Sequence, residues 1–206
     1  MEDIIILGVD IHALETIDMI HRTGKYNFIG MIRDSADGPS DYLGYPVLGG
    51  PDALSGYPGA LRVPMHGWKA REDRRNWVNV IADSSFISAT AVLGSGCIIY
   101  PNCFIGANAR LGDGVFMLSG SVINHDCVIE DHVTVTTGVT LAGSVRVKTG
   151  AYLGQACMVR QLLTVGENVM VGMGAVVTRD IADNVTVIGC PARIWSKPEK
   201  CSGGIT

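Results

Sequence analysis

From Phe86 to Ile181 the chain repeats itself every six residues. Cut into sixes from Phe86, it reads FISATA, VLGSGC, IIYPNC, FIGANA and onward to VVTRDI, sixteen hexads without an insertion. The second slot is aliphatic or Met in all sixteen, from Ile87 and Leu93 to Val171 and Val177. The sixth slot is small or aliphatic and never charged. A helix would place apolar residues at 3.6 spacing, and a half-buried sheet would alternate strictly. A fixed short period is instead the mark of a solenoid whose repeats pack on their neighbours. Each hexad therefore predicts one short strand plus a corner, and three hexads close one triangular coil of a parallel β-helix. Sixteen hexads give about 5.3 coils, a prism roughly 25 Å long at ~4.8 Å per stacked strand. Gly94, Gly106, Gly112, Asn108 and Asp113 recur at slots three to five, where corners are expected to need positive φ. The general rule for crossovers predicts a right-handed winding.

A corner-rich solenoid accounts for the composition. Of 206 residues, 26 are Gly and only 17% are charged, against 47% hydrophobic. The net charge of −4 gives neither a nucleic-acid footprint nor one for an anionic membrane surface. No apolar run reaches the length of a membrane span. The N-terminus starts acidic with a short apolar run, unlike a signal peptide, so the chain reads as cytoplasmic. Cys97, Cys103, Cys127 and Cys157 all take the sixth slot, which makes them small buried fillers rather than zinc ligands or nucleophiles. Cys190 and Cys201 lie outside the repeat and are left open.

Residues 1–82 read as a small α/β (Rossmann-like) domain, 83–195 as the β-helix domain of about five coils, and 196–206 as a polar tail. Strands are expected over 4–8, 27–33 and 61–65. Helices are expected from Ile11 to Arg22 with a Gly24 cap, at 51–54, and from Lys69 to Ala82. In a parallel sheet, ligands lie beyond the carboxyl ends of the strands. That rim would carry Gly8, Asp10, Ile11 and His12, then Arg33 and Asp34, then His66 and Gly67. The dinucleotide fingerprint G-x-G-x-x-G is absent.

Within the prism the only histidines are His125 and His132. His125 occupies slot four of VINHDC, an outward corner position, and Asp126 follows it. A carboxylate beside an imidazole orients it and stabilises its charged form, which suits a general base near neutral pH. Acyl transfer from a thioester needs such a base, plus a donor for the developing oxyanion, and needs no covalent nucleophile. The alternative is a surface His whose Asp neighbour merely fills the turn.

The segment Asn124-His125-Asp126-Cys127-Val128-Ile129 resembles the catalytic hexad of the hexapeptide-repeat sugar O-/N-acyltransferases. These include the sialic acid O-acetyltransferases and the UDP-4-amino-sugar N-acetyltransferases. Gly44 to Gly50 and Gly189-Cys190-Pro191-Ala192-Arg193 look like segments of the same family, so the resemblance spans nearly the whole chain. It implies a left-handed β-helix and a homotrimer. It also implies acetyl-CoA as co-substrate without a metal, lying in the groove between two prisms, and a nucleotide-linked amino sugar as acceptor. It casts His125 as general base and Asp126 as the residue that raises its basicity. It puts the nucleotide sugar at Gly8 and His12, beside the rim residues Asp10, Ile11, Arg33, Asp34 and Gly67 that the strand-end rule supplies. Acetyl-CoA falls at Thr134, Ala142, Gly143, Gly154, Gln155, Gly172 and Met173. Two positions depart from the family. Thr134 stands where a second His is usual, and the loop after the first strand has Asp10, Ile11 and Ala13 in place of glycines. O-acetylation of a sugar, a zinc hydratase on a similar prism and a non-catalytic scaffold are the competing readings.

Overall fold

The computed structural model describes residues 1–35, 37–68 and 74–196. The N-terminal part is a sheet in the order β3-β4-β2-β1-β5, made of β1 (Glu2–Leu7), β2 (Tyr26–Ile32), β3 (Asp41–Tyr42), β4 (Tyr45–Gly49) and β5 (Leu61–Pro64). β1 runs parallel to both β2 and β5. The helix α1 (Ile11–Thr23) covers one face. Its start is set by Asp10, whose carboxylate accepts from Ala13 N at 2.8 Å. Its end is set by Gly24 at φ 60°.

Two expectations for this part fail. Pro51–Gly56 is a 3-10 turn rather than an α-helix. Residues 69–73 lie outside the described residues, and 74–82 are not helical. There Trp77 bridges Arg62 in parallel, and Val78 N donates to Arg62 O at 3.0 Å. β6 (Val80–Ile81) then becomes the first strand of the prism. The spacing of Trp77, Val78, Val80 and Ile81 fits one face of a helix as well, but the open edge of the stack offers Val80 and Ile81 ladder partners in Ile98 and Ile99. β1–α1–β2 is one βαβ unit, but with no second α-helix among the described residues the repeated βαβ units of a Rossmann-like domain are not seen there.

The prism has three parallel faces. The first stacks Phe86–Ile87, Phe104–Ile105, Val122–Ile123, Thr140–Leu141, Met158–Val159 and Val176–Val177. The second runs from Val92–Leu93 to Thr164–Val165 in five strands. The third has eight strands, from β6 through Ile98–Ile99, Phe116–Met117, Thr134–Val135, Tyr152–Leu153 and Met170–Val171 to Thr186–Ile188, then the antiparallel Arg193–Ile194. The five-coil count is thus too low, because the stack continues past the repeat at both ends. The last hexad also departs from register. Ile181 bridges Val165, and Thr186 pairs Met170, so the final coil is two residues shorter than the others.

The second-slot residues fill the axis, with Ile99, Ile105, Met117, Ile123, Val135, Leu141 and Val171 at 0% exposure. Each such side chain contributes about 1.5–3 kcal/mol by leaving water. Positive φ falls on one slot only, the fifth, in every hexad from Gly96 to Gly174. The third-slot glycines serve another purpose. A Cβ on Gly106 would lie 2.7 Å from His125 N, and one on Gly112 would lie 2.7 Å from Asp131 N. They let successive corners stack at strand spacing. The sixth-slot cysteines are buried as expected, and burial pushes the thiols of Cys97 and Cys157 up to about 12.

The N-terminal sheet lies on the upper third face. Ile4, Ile6, Ile17, Ile20 and Met65 share one core with Ile98, Tyr100 and Phe116. Tyr100 donates its hydroxyl to His12 O at 2.9 Å. His66 Nδ1 lies 2.8 Å from Thr134 Oγ1, and its ring stacks on Phe116 at 6.0 Å.

Candidate active site

The edge between the first and second faces is a column of fourth- and fifth-slot residues. Reading down the coils, it holds Ala107-Asn108, His125-Asp126, Gly143-Ser144 and Gln161-Leu162. Asp126 takes φ 58°, which turns its short side chain back toward the corner. Its Oδ2 sits 2.8 Å from His125 Nδ1. An ionised carboxylate only accepts, so in neutral His125 the proton is on Nδ1 and Nε2 is left with its lone pair. The other oxygen of Asp126 accepts from Asn108 Nδ2 at 3.1 Å. The bond from His125, and then that from Asn108, hold the Asp126 carboxyl below its ordinary range. The side chains of His125 and Asp126 are 64% and 50% exposed.

Gly143 makes the room for this arrangement. A Cβ there would lie 2.5 Å from His125 Cε1 and 2.6 Å from Nε2, so the imidazole lies flat over the glycine of the next coil. The sequence points to His125, Asp126 and Gly143 as site residues but to Asn108 only as a corner residue. The signal for Asn108 was its place eighteen residues before Asp126, one full coil in a stack registered by eighteen.

The other named residues fall in three places. Ala142 shares the edge of His125. Gly154, Gln155, Gly172 and Met173 line the opposite edge of the first face, with Met173 77% exposed. Thr134 is on neither. It is 4% exposed on the third face, under His66. His132 sits on the remaining edge, edge-on to Trp77 at 6.0 Å.

The rim residues gather after β1, β2 and β5, but several are already engaged. Gly8 has φ 130°, and a Cβ there would come 2.7 Å from Met65 Cβ. Asp10 caps α1 rather than standing free in the loop. His12 Nδ1 meets Glu15 Oε2 at 3.0 Å, and its ring rests against Phe116 at 5.5 Å. Arg33 folds onto its own loop, donating to Asp37 O at 3.1 Å and to Pro39 O. Ile11 is 57% exposed, Asp34 is exposed, and Gly67 turns at φ 83°.

No protein-family model and no curated protein matches the chain. Solved structures do. A perosamine N-acetyltransferase variant from Caulobacter crescentus, in complex with CoA and GDP-perosamine, is 30% identical with a TM-score of 0.86, covering 96% of this chain and 98% of that one. A variant GDP-perosamine N-acetyltransferase from the same organism, with the same two ligands, is 28% identical at TM-score 0.87 over the same shares. WeeI from Acinetobacter baumannii AYE is 26% identical at TM-score 0.82, covering 95% and 100%. Fold and edge together define a β-helix enzyme built on a hexapeptide repeat. The chain belongs to the hexapeptide-repeat sugar acyltransferases.

Proposed function

We propose that the chain transfers an acetyl group from acetyl-CoA to the amine of a nucleotide-linked amino sugar, with His125 as general base. The observation that carries this reading is the relay Asn108–Asp126–His125 on an exposed edge, with Nε2 held over Gly143. Nε2 takes the proton as the amine nitrogen attacks the thioester carbonyl. Asp126 stabilises the imidazolium so formed. Collapse of the tetrahedral intermediate breaks the C–S bond. The CoA thiolate leaves, and the proton on Nε2 can pass to it. The amine acceptor is supported by the two Caulobacter structures, which hold CoA and an amino-sugar nucleotide, each in a protein with one histidine replaced.

The reading takes 83–195 as the acyltransferase unit and the rim of 1–82 as the nucleotide-sugar site, contributed by Gly8, Asp10, Ile11, His12, Arg33, Asp34 and Gly67. Ala142 and Gly143 on one edge, and Gly154, Gln155, Gly172 and Met173 on the other, would contact acetyl-CoA. Thr134, buried beneath His66, would instead fix the rim to the prism. The two edges border opposite sides of the first face, so one protomer cannot close both around a single ligand. That face carries Phe86 and Met158 at 57% and 49% exposure, with Phe104, Val122 and Val176 in the same row. A homotrimer packing through it would bring one protomer's His125 edge to the Gly154 edge of the next. Use of acetyl-CoA points to the cytoplasm. Among the described residues no helix is long and apolar enough to cross a membrane.

The test is free-thiol release from acetyl-CoA with a panel of UDP-, dTDP- and GDP-linked amino sugars. His125→Ala is expected to lower turnover on the order of 10²–10⁴-fold with assembly intact. Unchanged turnover removes His125 from the mechanism. No turnover by the native chain with any acceptor, together with no acetyl-CoA binding, removes the enzyme assignment for this substrate class.

A further inference from the structure

The sheet face turned away from α1 is incompletely covered. Side chains of β1 alternate, so Ile4 and Ile6 pack with Ile17 and Ile20 of α1, while Ile5 and Leu7 share the opposite core with Trp68 and Leu54. On that opposite side a cavity of about 640 Å³ opens beside Leu7, Leu54 and Trp68. Its walls adjoin the rim. Leu7 is the chain neighbour of Gly8, and Trp68 of Gly67. Pro51, also in the wall, follows closely on the end of β4.

The charged groups of this cavity are of two kinds. Asp52 supplies a carboxylate, which only accepts, and Arg62 and Arg75 supply guanidiniums, which only donate. Asp52 and Arg75 are exposed, whereas Arg62 is buried in the wall at 5% exposure. Arg62 Nε is a buried donor for which the described residues offer no acceptor, although the residue itself is engaged elsewhere. Asn76 is spent on closing one side, donating to Pro58 O at 3.1 Å and to Ala60 O at 3.2 Å. Another cavity, about 440 Å³ on the α1 side, has a different character. It carries Glu15, Asp18 and Asp83 against Arg22, an anionic setting that would repel a nucleotide.

We infer that the cavity beside Leu7 selects guanine as the base of the acceptor, with Asp52 as the specificity-determining residue. The inference rests on the acceptor being a nucleotide-linked sugar. A diphosphate on the rim at Gly8 leaves its nucleoside to pass Leu7 into the cavity. Guanine presents N1–H and its N2 amino group side by side, a pair of donors that one carboxylate accepts together. Its O6 and N7 are a pair of acceptors that one guanidinium meets together. Uracil and thymine have a single N–H between two carbonyls, so a carboxylate gains one bond and faces two oxygens. Adenine has only its amino group to offer a carboxylate. Leu7, Leu54 and Trp68 supply apolar walls for the ring.

Calorimetric titration of the intact chain with GDP, UDP, dTDP and ADP tests this. GDP should bind about tenfold more tightly than the other three, the worth of one bidentate pair. Asp52→Asn should lose about that factor for GDP and keep its affinity for UDP. The same variant should bind xanthosine diphosphate more tightly than the native chain does, because the C2 oxygen of xanthine accepts from the new amide where guanine has an amino group. A merely structural role for Asp52 would move every diphosphate alike and give no such exchange. UDP or dTDP binding as tightly as GDP, or equal losses for all four in Asp52→Asn, would overturn the inference. Acetyl transfer confined to UDP-linked amino sugars would overturn it as well and leave the acetyl-CoA reading standing. Native chain that binds none of the diphosphates would sink the nucleotide-linked acceptor itself, a result distinct from the others.

Discussion

In the proposed mechanism Asn108 supports the His125–Asp126 couple without doing chemistry itself. His125 and Asp126 are both largely exposed, so solvent competes for their bond, and the orientation of the carboxylate needs a second hold. The amide one coil above supplies it. Replacing Asn108 by Ala removes that hold without touching His125. We expect turnover to fall several-fold, with the Michaelis constant for acetyl-CoA little changed. An unchanged rate would make Asn108 a corner filler. Asn108 was hard to see in advance because the hexad register shows neighbours along the chain. The relevant neighbour lies eighteen residues away, across the stack.

At the scale of the element, the repeat separates two kinds of glycine that look alike in a string of letters. Fifth-slot positions need the left-handed backbone, and Asn, Asp, His, Ser, Ala and even Leu take it there as well as Gly. Third-slot glycines are needed because the coil below leaves no room. The expectation that slots three to five share one backbone requirement confused these roles. Gly106→Ala separates them. Its new methyl would meet the backbone of His125, so the corner must shift, and overpacking of this kind costs about 1–3 kcal/mol. Thermal melting should show that loss. Activity at low temperature should also drop, since the shifted corner carries the imidazole. Leu162→Gly should do the opposite to stability by relieving a strained φ. Melting curves of the two variants check both directions.

For the whole molecule, the distribution of side chains on the three faces matters more than any single contact. The N-terminal sheet covers the upper third face. The second face carries the Arg146–Glu130 pair, and its far edge the pairs of Arg74 with Asp113 and Asp131. The first face is left largely apolar, with Thr140 the polar member of its outward row. Met158→Glu places a charge on the fifth of the six strands of that face, away from both the His125 relay and the N-terminal rim. It is expected to convert the proposed homotrimer to monomers by light scattering, and to abolish turnover while the isolated chain keeps its fold. Monomers with full activity would show that one protomer is sufficient.

The periodicity by itself determined the prism, its buried rows, its inward cysteines and the corner that presents His125 and Asp126. Each of these follows from a short strand with one side facing a common axis, a constraint local to every hexad. It could not determine where the stack ends, because ends depend on which outside segments find open ladder partners. Val80–Ile81 and Thr186–Ile188 are outside the repeat and still join. Nor could it show that Thr134 is sealed beneath His66, or that Tyr100 reaches across to the His12 carbonyl. Those are relations between residues brought together only when coils stack and the N-terminal sheet docks, and a linear pattern carries no term for them.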